Sequence, residues 1–274
     1  MKFGCSTALF NQLDLYGALQ HIAWAGYDGA ELSFTSDETR HLELNVKQTY
    51  VNEVKSITDK HKIELFAIHT GGKLYGQENI KSMTKLFDVS QKLNIPIVTL
   101  ASRGKFADKE ATKEEFKYFK KLSQEAASRH ITLAVKPHVG ASVCNTATML
   151  QMLDEIDSPA LGINLDTMQI YKGGEDVSET VHQLGKKIVH VHFREYPDSP
   201  DRLHYEVRAE EEIPGRGNVD FPKIISSLKK VGYDKVIIFD VSGAMTYPLS
   251  RQMGIAAEAR GYLNRCLQEL TSIP

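Results

Sequence analysis

With 274 residues, 42% of them hydrophobic and 25% charged, the chain has the composition of an ordinary soluble globular protein able to bury a sizeable core. A formal net charge of −2 gives no electrostatic case for a nucleic-acid or membrane-surface partner, so the expected partner is a small molecule, with homo-oligomerisation left open. Three scattered cysteines, Cys5, Cys144 and Cys266, make neither a disulfide framework nor a zinc pattern. The chain opens on a strand-like Met-Lys-Phe-Gly-Cys with no signal-peptide core and carries no long apolar run, and a cytoplasmic location is expected.

Short apolar runs alternate with amphipathic segments from one end to the other, with no linker-like composition between them, so residues 1–274 read as a single domain. Segment 2–7 reads as a strand, followed by a helix over 13–25 that Gly26 closes. The next strand–helix pairs fall at 28–33 and 46–61, 63–69 and 78–93, 95–101 and 113–129, 131–136 and 146–156, then 161–166 and 177–184. A seventh strand, 188–195, leads into a long polar segment, 196–218, and a helix over 221–231; the eighth strand, 235–241, precedes a final helix over 250–270. Strand–helix units of this number and length predict an α/β fold closed as a (β/α)8 TIM barrel, with an open doubly wound sheet as the alternative.

The seventh strand, Ile188-Val-His-Val-His-Phe-Arg-Glu195, separates its residues by face. Alternation puts Val189, Val191 and Phe193 on the side that packs under helices, and His190, His192 and Arg194 on the other. Imidazoles and a guanidinium are costly to bury without partners, so that second face should look into a polar site. The remaining strands supply the partners at their late ends: Glu31, His69, Lys136, Asp166 and Asp240, a ring around one mouth of the barrel, where such folds place their chemistry. Any one of these could be a barrel-filling polar residue. So many together have no stabilising rationale, because buried ion pairs often only break even against apolar packing. Carboxylates with imidazoles suit a divalent cation such as Mn²⁺, Co²⁺, Mg²⁺ or Zn²⁺. His190, one pleat deeper than His192, reads as support. Lys136 is the awkward member: its ammonium cannot bind a metal, although deprotonated it would serve as a base or a Schiff-base amine. Arg194 and Arg216 could hold an anionic substrate group, or equally make surface salt bridges, and the turn Ile213-Pro-Gly-Arg-Gly217 reads as a structural loop before a phosphate cradle.

The same residues carry a resemblance. Gly26-Tyr-Asp-Gly-Ala-Glu31, Leu133-Ala-Val-Lys-Pro-His138, Asn164-Leu-Asp166, His190-Val-His-Phe-Arg-Glu195, Pro214-Gly-Arg-Gly217 and Gly232-Tyr-Asp-Lys-Val-Ile-Ile-Phe-Asp240 together resemble the xylose isomerase-like TIM barrels, over essentially the whole chain. That resemblance implies sugar isomerase, epimerase or dehydratase chemistry and one divalent metal held by strand-end carboxylates and a histidine. Its metal positions fall on Asp166, His192 and Asp240, but the glutamate expected to end strand five, which is also a proton-transfer base in the epimerases, is Lys136. An aspartate-x-x-histidine motif reads Asp166-Thr-Met-Gln169, with glutamine replacing a substrate-contacting histidine.

The resulting expectation is an isomerase or epimerase that moves a proton next to a carbonyl of a sugar, sugar phosphate or polyol. A dehydratase of an inosose- or dehydroshikimate-like substrate, or a non-catalytic sugar-binding barrel, is the alternative; DNA repair lacks the basic excess it would need. Lys136, Asp240 and Glu195 are the expected catalytic groups. Glu31, His69, Arg194, Gln169 and Arg216 are expected to contact substrate. A weakened metal is expected on Asp166, His192, Asp240 and His138 or a water, unless Lys136 itself takes the metal's place.

Overall fold

In the computed structural model, which describes residues 1–35, 41–197, 208–241 and 243–271, eight parallel strands close into a barrel in sequence order. The strands are β1 (Lys2–Ser6), β2 (Gly29–Ser33), β3 (Glu64–His69), β4 (Ile97–Ala101), β5 (Thr132–Lys136), β6 (Leu161–Asp166), β7 (Ile188–Phe193) and β8 (Val236–Phe239), and β1 pairs with β8 to complete the ring. The helices around it are α1 (Leu15–Trp24), α2 (Gln48–His61), α3 (Ile80–Lys92), α4 (Lys109–Ala127), α5 (Thr146–Ile156), α6 (Thr167–Lys172), α7 (Val177–Leu184), α8 (Phe221–Lys230) and α9 (Leu249–Thr271). Residues 198–207 of the expected polar segment lie outside the described residues.

Local chemistry starts most helices. Asp14 accepts from Gly17 N–H at the head of α1, Asp108 from Ala111 N–H at α4, and Asp220 from Lys223 N–H at α8. The Asp108 cap explains why α4 begins at Lys109, ahead of the expected 113. Helix α6 was not expected at all. Its cap is Asp166, the last residue of β6, whose Oδ1 accepts from Gln169 N–H at 3.0 Å. Asp-x-x-Gln before an apolar residue is an N-terminal helix signature, and was the signal for it.

The main core lies between sheet and helices, where Leu133, Val135, Leu165, Val191, Phe193 and Phe239 are buried. Two register shifts break the strict alternation. Between β2 and β3 the pairing steps from Ala30↔Leu65 to Glu31↔Ala67, leaving Phe66 as an extra residue; between β6 and β7 it steps from Ile163↔Ile188 to Asn164↔His190, leaving Val189. Val189 therefore does not join Val191 and Phe193 as alternation alone predicts. It packs with Ala67, Ile97 and Ala134 in a small separate cluster. Phe66 lies against Gly29, where a Cβ would stand 2.5 Å from its ring and 2.2 Å from the Glu64 carbonyl oxygen. Beyond these bulges, Glu31, His69, Asn164, Asp166, His190 and His192 are all buried.

Candidate active site

The inward side chains at the carboxyl ends of the strands converge on one charged cluster. At its centre is Lys136, 4% exposed. Its Nζ lies 2.6 Å from Asp166 Oδ2, 3.0 Å from Asp240 Oδ2 and 3.1 Å from His192 Nδ1. Helix α6 fixes the other Asp166 oxygen, so this carboxylate is clamped between a cap and the ammonium. His192 links the cluster downward, its Nε2 3.0 Å from Glu31 Oε1 and its Nδ1 3.3 Å from Asp240 Oδ2. His190 Nε2 donates to Glu31 Oε2 at 2.7 Å from one layer below. Arg194 pairs with Glu212 at 2.8 Å through Nη2 and Nε, and its Nη1 lies 3.5 Å from Asp166.

Burial and pairing set the charges. Burial works against Lys136, but Asp166 and Asp240 outweigh it and raise the lysine above its ordinary value. These partners favour the ammonium over the free amine that a base or Schiff-base role would need. Burial opposes ionisation of Glu31, Asp166 and Asp240, and their partners overcome it: the charge of His192 and the hydrogen bonds of His190 and His192 for Glu31, the charge of Lys136 first for the two aspartates. His192 also resists burial, because Glu31 and Asp240 together raise it to about 9. His69 goes the other way. Burial, then the charge of Lys136, lower it to about 3, and its Nδ1 shares a 2.6 Å hydrogen bond with the Thr99 hydroxyl. The cluster therefore sets Lys136, Arg194 and His192 against Glu31, Asp166 and Asp240, beside a neutral imidazole.

A cavity of about 260 Å³ opens above this cluster, lined by His69, Arg103, Lys136, Gln169, Arg194 and Asp240 among others. A larger cleft of about 470 Å³, lined by Val51, Val54, Phe66 and Pro96, lies outside the strand-end cluster. His138 reaches the rim of the smaller cavity and belongs to neither group of residues spaced to hold a metal. Glu31 lies beneath the cavity, against His190 and His192. Gln169 faces the cavity while its Oε1 accepts from Val139 N–H at 3.0 Å.

Two expected residues stand apart. Glu195 is wrapped by backbone: Oε1 accepts from Tyr196 and Val219 N–H, and Oε2 from Gly215 N–H at 3.1 Å. The glycine turn does cradle a carboxyl group, and it is that of Glu195, which burial raises above its ordinary value against these backbone hydrogen bonds. A Cβ on Gly217 would come within 2.7 Å of Glu195 Oε1, so the close wrap needs glycine there. Arg216 forms a two-pronged surface pair with Glu258 on α9, both contacts 2.6 Å. Conversely, Thr99 and Glu212 enter the cluster without having been singled out, and Asn164, named only within its strand-six motif, joins them. Asn164 Nδ2 lies 3.3 Å from both Thr99 Oγ1 and His192 Nε2, and its inward position on β6 was the available signal.

A closed parallel barrel with its ionisable residues gathered at the carboxyl ends of the strands is the arrangement of TIM-barrel enzymes. The chain belongs to the xylose isomerase-like TIM barrel family, whose model matches residues 19–266. It is 26% identical over 218 residues to 3-dehydroshikimate dehydratase of Bacillus anthracis, covering 74% of this chain and 75% of that protein. A solved D-tagatose 3-epimerase-like protein superposes with a TM-score of 0.78 at 18% identity, over 99% of this chain and 98% of that one. The IOLI protein, solved with a binding zinc atom, superposes with a TM-score of 0.78 at 18% identity, over 96% and 98%. Other relatives include epimerases and inosose isomerases.

The metal implied by the resemblance can be tested against the residues present. Two groups among the described residues have ligand atoms close enough to share an ion: Asp166, His192 and Asp240, and Glu31, His190 and His192. The retained-metal arrangement needs Lys136 swung aside, yet its ammonium pairs with Asp166 and Asp240 and lies 3.1 Å from His192 Nδ1. The second group pairs internally, and His190 Nδ1 is buried without a hydrogen-bond partner, whereas a metal-bound histidine normally anchors its other nitrogen. With Lys136 in place, neither group fits a metal.

Proposed function

We propose that this protein is an enzyme that moves a proton on the carbon next to a carbonyl of a small sugar or polyol, as an isomerase or epimerase. The observation that carries this reading is the cavity itself, which brings a fixed ammonium, a neutral buried imidazole and a carboxylate to one polar space at the barrel mouth. Removing a proton beside a carbonyl places negative charge on its oxygen, and a preorganised cation in a water-poor site stabilises that charge most effectively. Lys136 supplies the cation. Asp240, on the β8 side, takes the proton as a carboxylate and returns it as the acid, while the neutral His69 on β3, three places away in the ring, hydrogen-bonds a substrate oxygen. Arg194 and Gln169 orient substrate oxygens from the cavity wall. Glu31, His190 and Asn164 act by positioning His192. Glu195 and Arg216 leave the catalytic and binding sets, the first as the anchor of the glycine turn.

A dehydratase is the second reading, favoured by the Bacillus anthracis relative; elimination of water begins with the same proton removal. Incubation with a panel of ketoses and inososes in deuterated water separates the readings. Deuterium uptake at the carbon beside the carbonyl, with formation of the epimer or isomer, is the expected result. Loss of water from the product would establish the dehydratase, and binding with neither event would mean a barrel that only binds sugar.

A further inference from the structure

We infer that Lys136 is the resident cation of this barrel: its ammonium holds, by covalent attachment, the point where Asp166, His192 and Asp240 converge, and the site works without a divalent metal. The ligand atoms of that trio lie within 4.8 Å of one another, a spacing that one small cation bridges. Lys136 Nζ is 2.6, 3.1 and 3.0 Å from Asp166, His192 and Asp240. These are hydrogen-bond lengths, well beyond the roughly 2.0–2.2 Å of zinc bonds to oxygen or nitrogen.

The lysine cannot leave this point cheaply. Its backbone is tied into the sheet, paired with Ala101 and accepting from Ser102 N–H at 3.0 Å. If its side chain withdrew, Asp166, fully buried, would lose its closest cation and keep the Gln169 N–H bond at 3.0 Å and, for its charge, the 3.5 Å contact with Arg194. One positive charge with N–H donors thus replaces two positive charges with open coordination positions. The site can polarise a substrate oxygen by hydrogen bonding, but it cannot chelate two oxygens at one ion. A further consequence is that a single exchange restores a ligand set: glutamate at position 136 would add a third carboxylate to the trio. The inference deepens the proposed reaction, but its test reads bound metal instead of turnover, so either can fail without the other.

The experiment compares wild type with Lys136→Glu and Lys136→Gln, all purified without chelator, by metal analysis and by thermal unfolding with and without added Mn²⁺ or Co²⁺. Wild type is expected to hold only traces of metal and to keep its Tm when either ion is added. Lys136→Glu is expected to take up about one ion per chain and to gain roughly 5–10 °C in Tm with the ion at a hundred times its Kd. Lys136→Gln, which removes the ammonium without adding a carboxylate, is expected to bind the same ion more weakly. Stoichiometric metal in wild type, with a fall in Tm on chelation, would overturn the inference. So would failure of both variants to bind metal while folded. Should Lys136→Glu not fold even with metal present, Lys136→Gln decides alone: uptake supports the inference and none overturns it.

Discussion

At the scale of single residues, the cluster is a set of mutual debts in charge, and removing one member exposes the rest. Lys136→Met would leave Asp166 and Asp240 buried with only partial compensation from Arg194 and His192. Breaking a buried pair in this way costs about 3–5 kcal/mol, which urea denaturation would read directly. The histidines predict a pH dependence with two signs. His69, neutral in the fold and lowered to about 3 from 6.5, is protonated first in the unfolded chain, so its contribution is complete above about 6.5 and is lost as pH falls toward 3. His190 and His41, both lowered chiefly by burial, act in the same direction. His192, raised from 6.5 to about 9, contributes fully below 6.5 and loses its contribution as pH rises through 9. Stability should therefore peak near pH 6.5, with each single-histidine contribution changing by at most about 1.4 kcal/mol per pH unit. His69→Asn should flatten the acid limb; an unchanged limb would mean that His69 is not held neutral. Most of these side chains were legible in the sequence, because period-two alternation places them on one strand face. Glu212 was not: it pairs with Arg194 from a polar stretch without periodicity, and only the folded chain brings them together.

Strands and helices followed their sequence signals closely, since apolar alternation and capping aspartates are local features. Helix α6 was missed despite its local Asp166 cap, and the other exceptions are non-local. The extra residues Phe66 and Val189 exist only relative to a neighbouring strand's register, which one strand's pattern cannot reveal. Gly29 depends on the first of these bulges, and Gly29→Ala would drive a Cβ to 2.2 Å from Glu64 O and 2.5 Å from Phe66. It should cost about 3 kcal/mol or more by chemical denaturation. A loss below about 1 kcal/mol would show that the β2–β3 bulge can relax. At α8 the expected effect is smaller: Asp220→Ala removes the acceptor of Lys223 N–H at 3.0 Å and should cost about 1 kcal/mol.

For the whole molecule, closure of the ring gathers ionisable residues from six strands at one mouth, and no described helix is long and apolar enough to cross a membrane. The barrel and its family were readable from the unit count and the strand-end motifs. Whether the centre of the site is a metal or a lysine was not, because a sequence names the residue at position 136 without saying where its ammonium rests. The most direct test is solvent deuterium uptake into a ketose substrate by protein treated with chelator. The account predicts exchange beside the carbonyl that survives metal removal and disappears in Lys136→Gln. Exchange that requires added metal, or that is equal in Lys136→Gln, would contradict it.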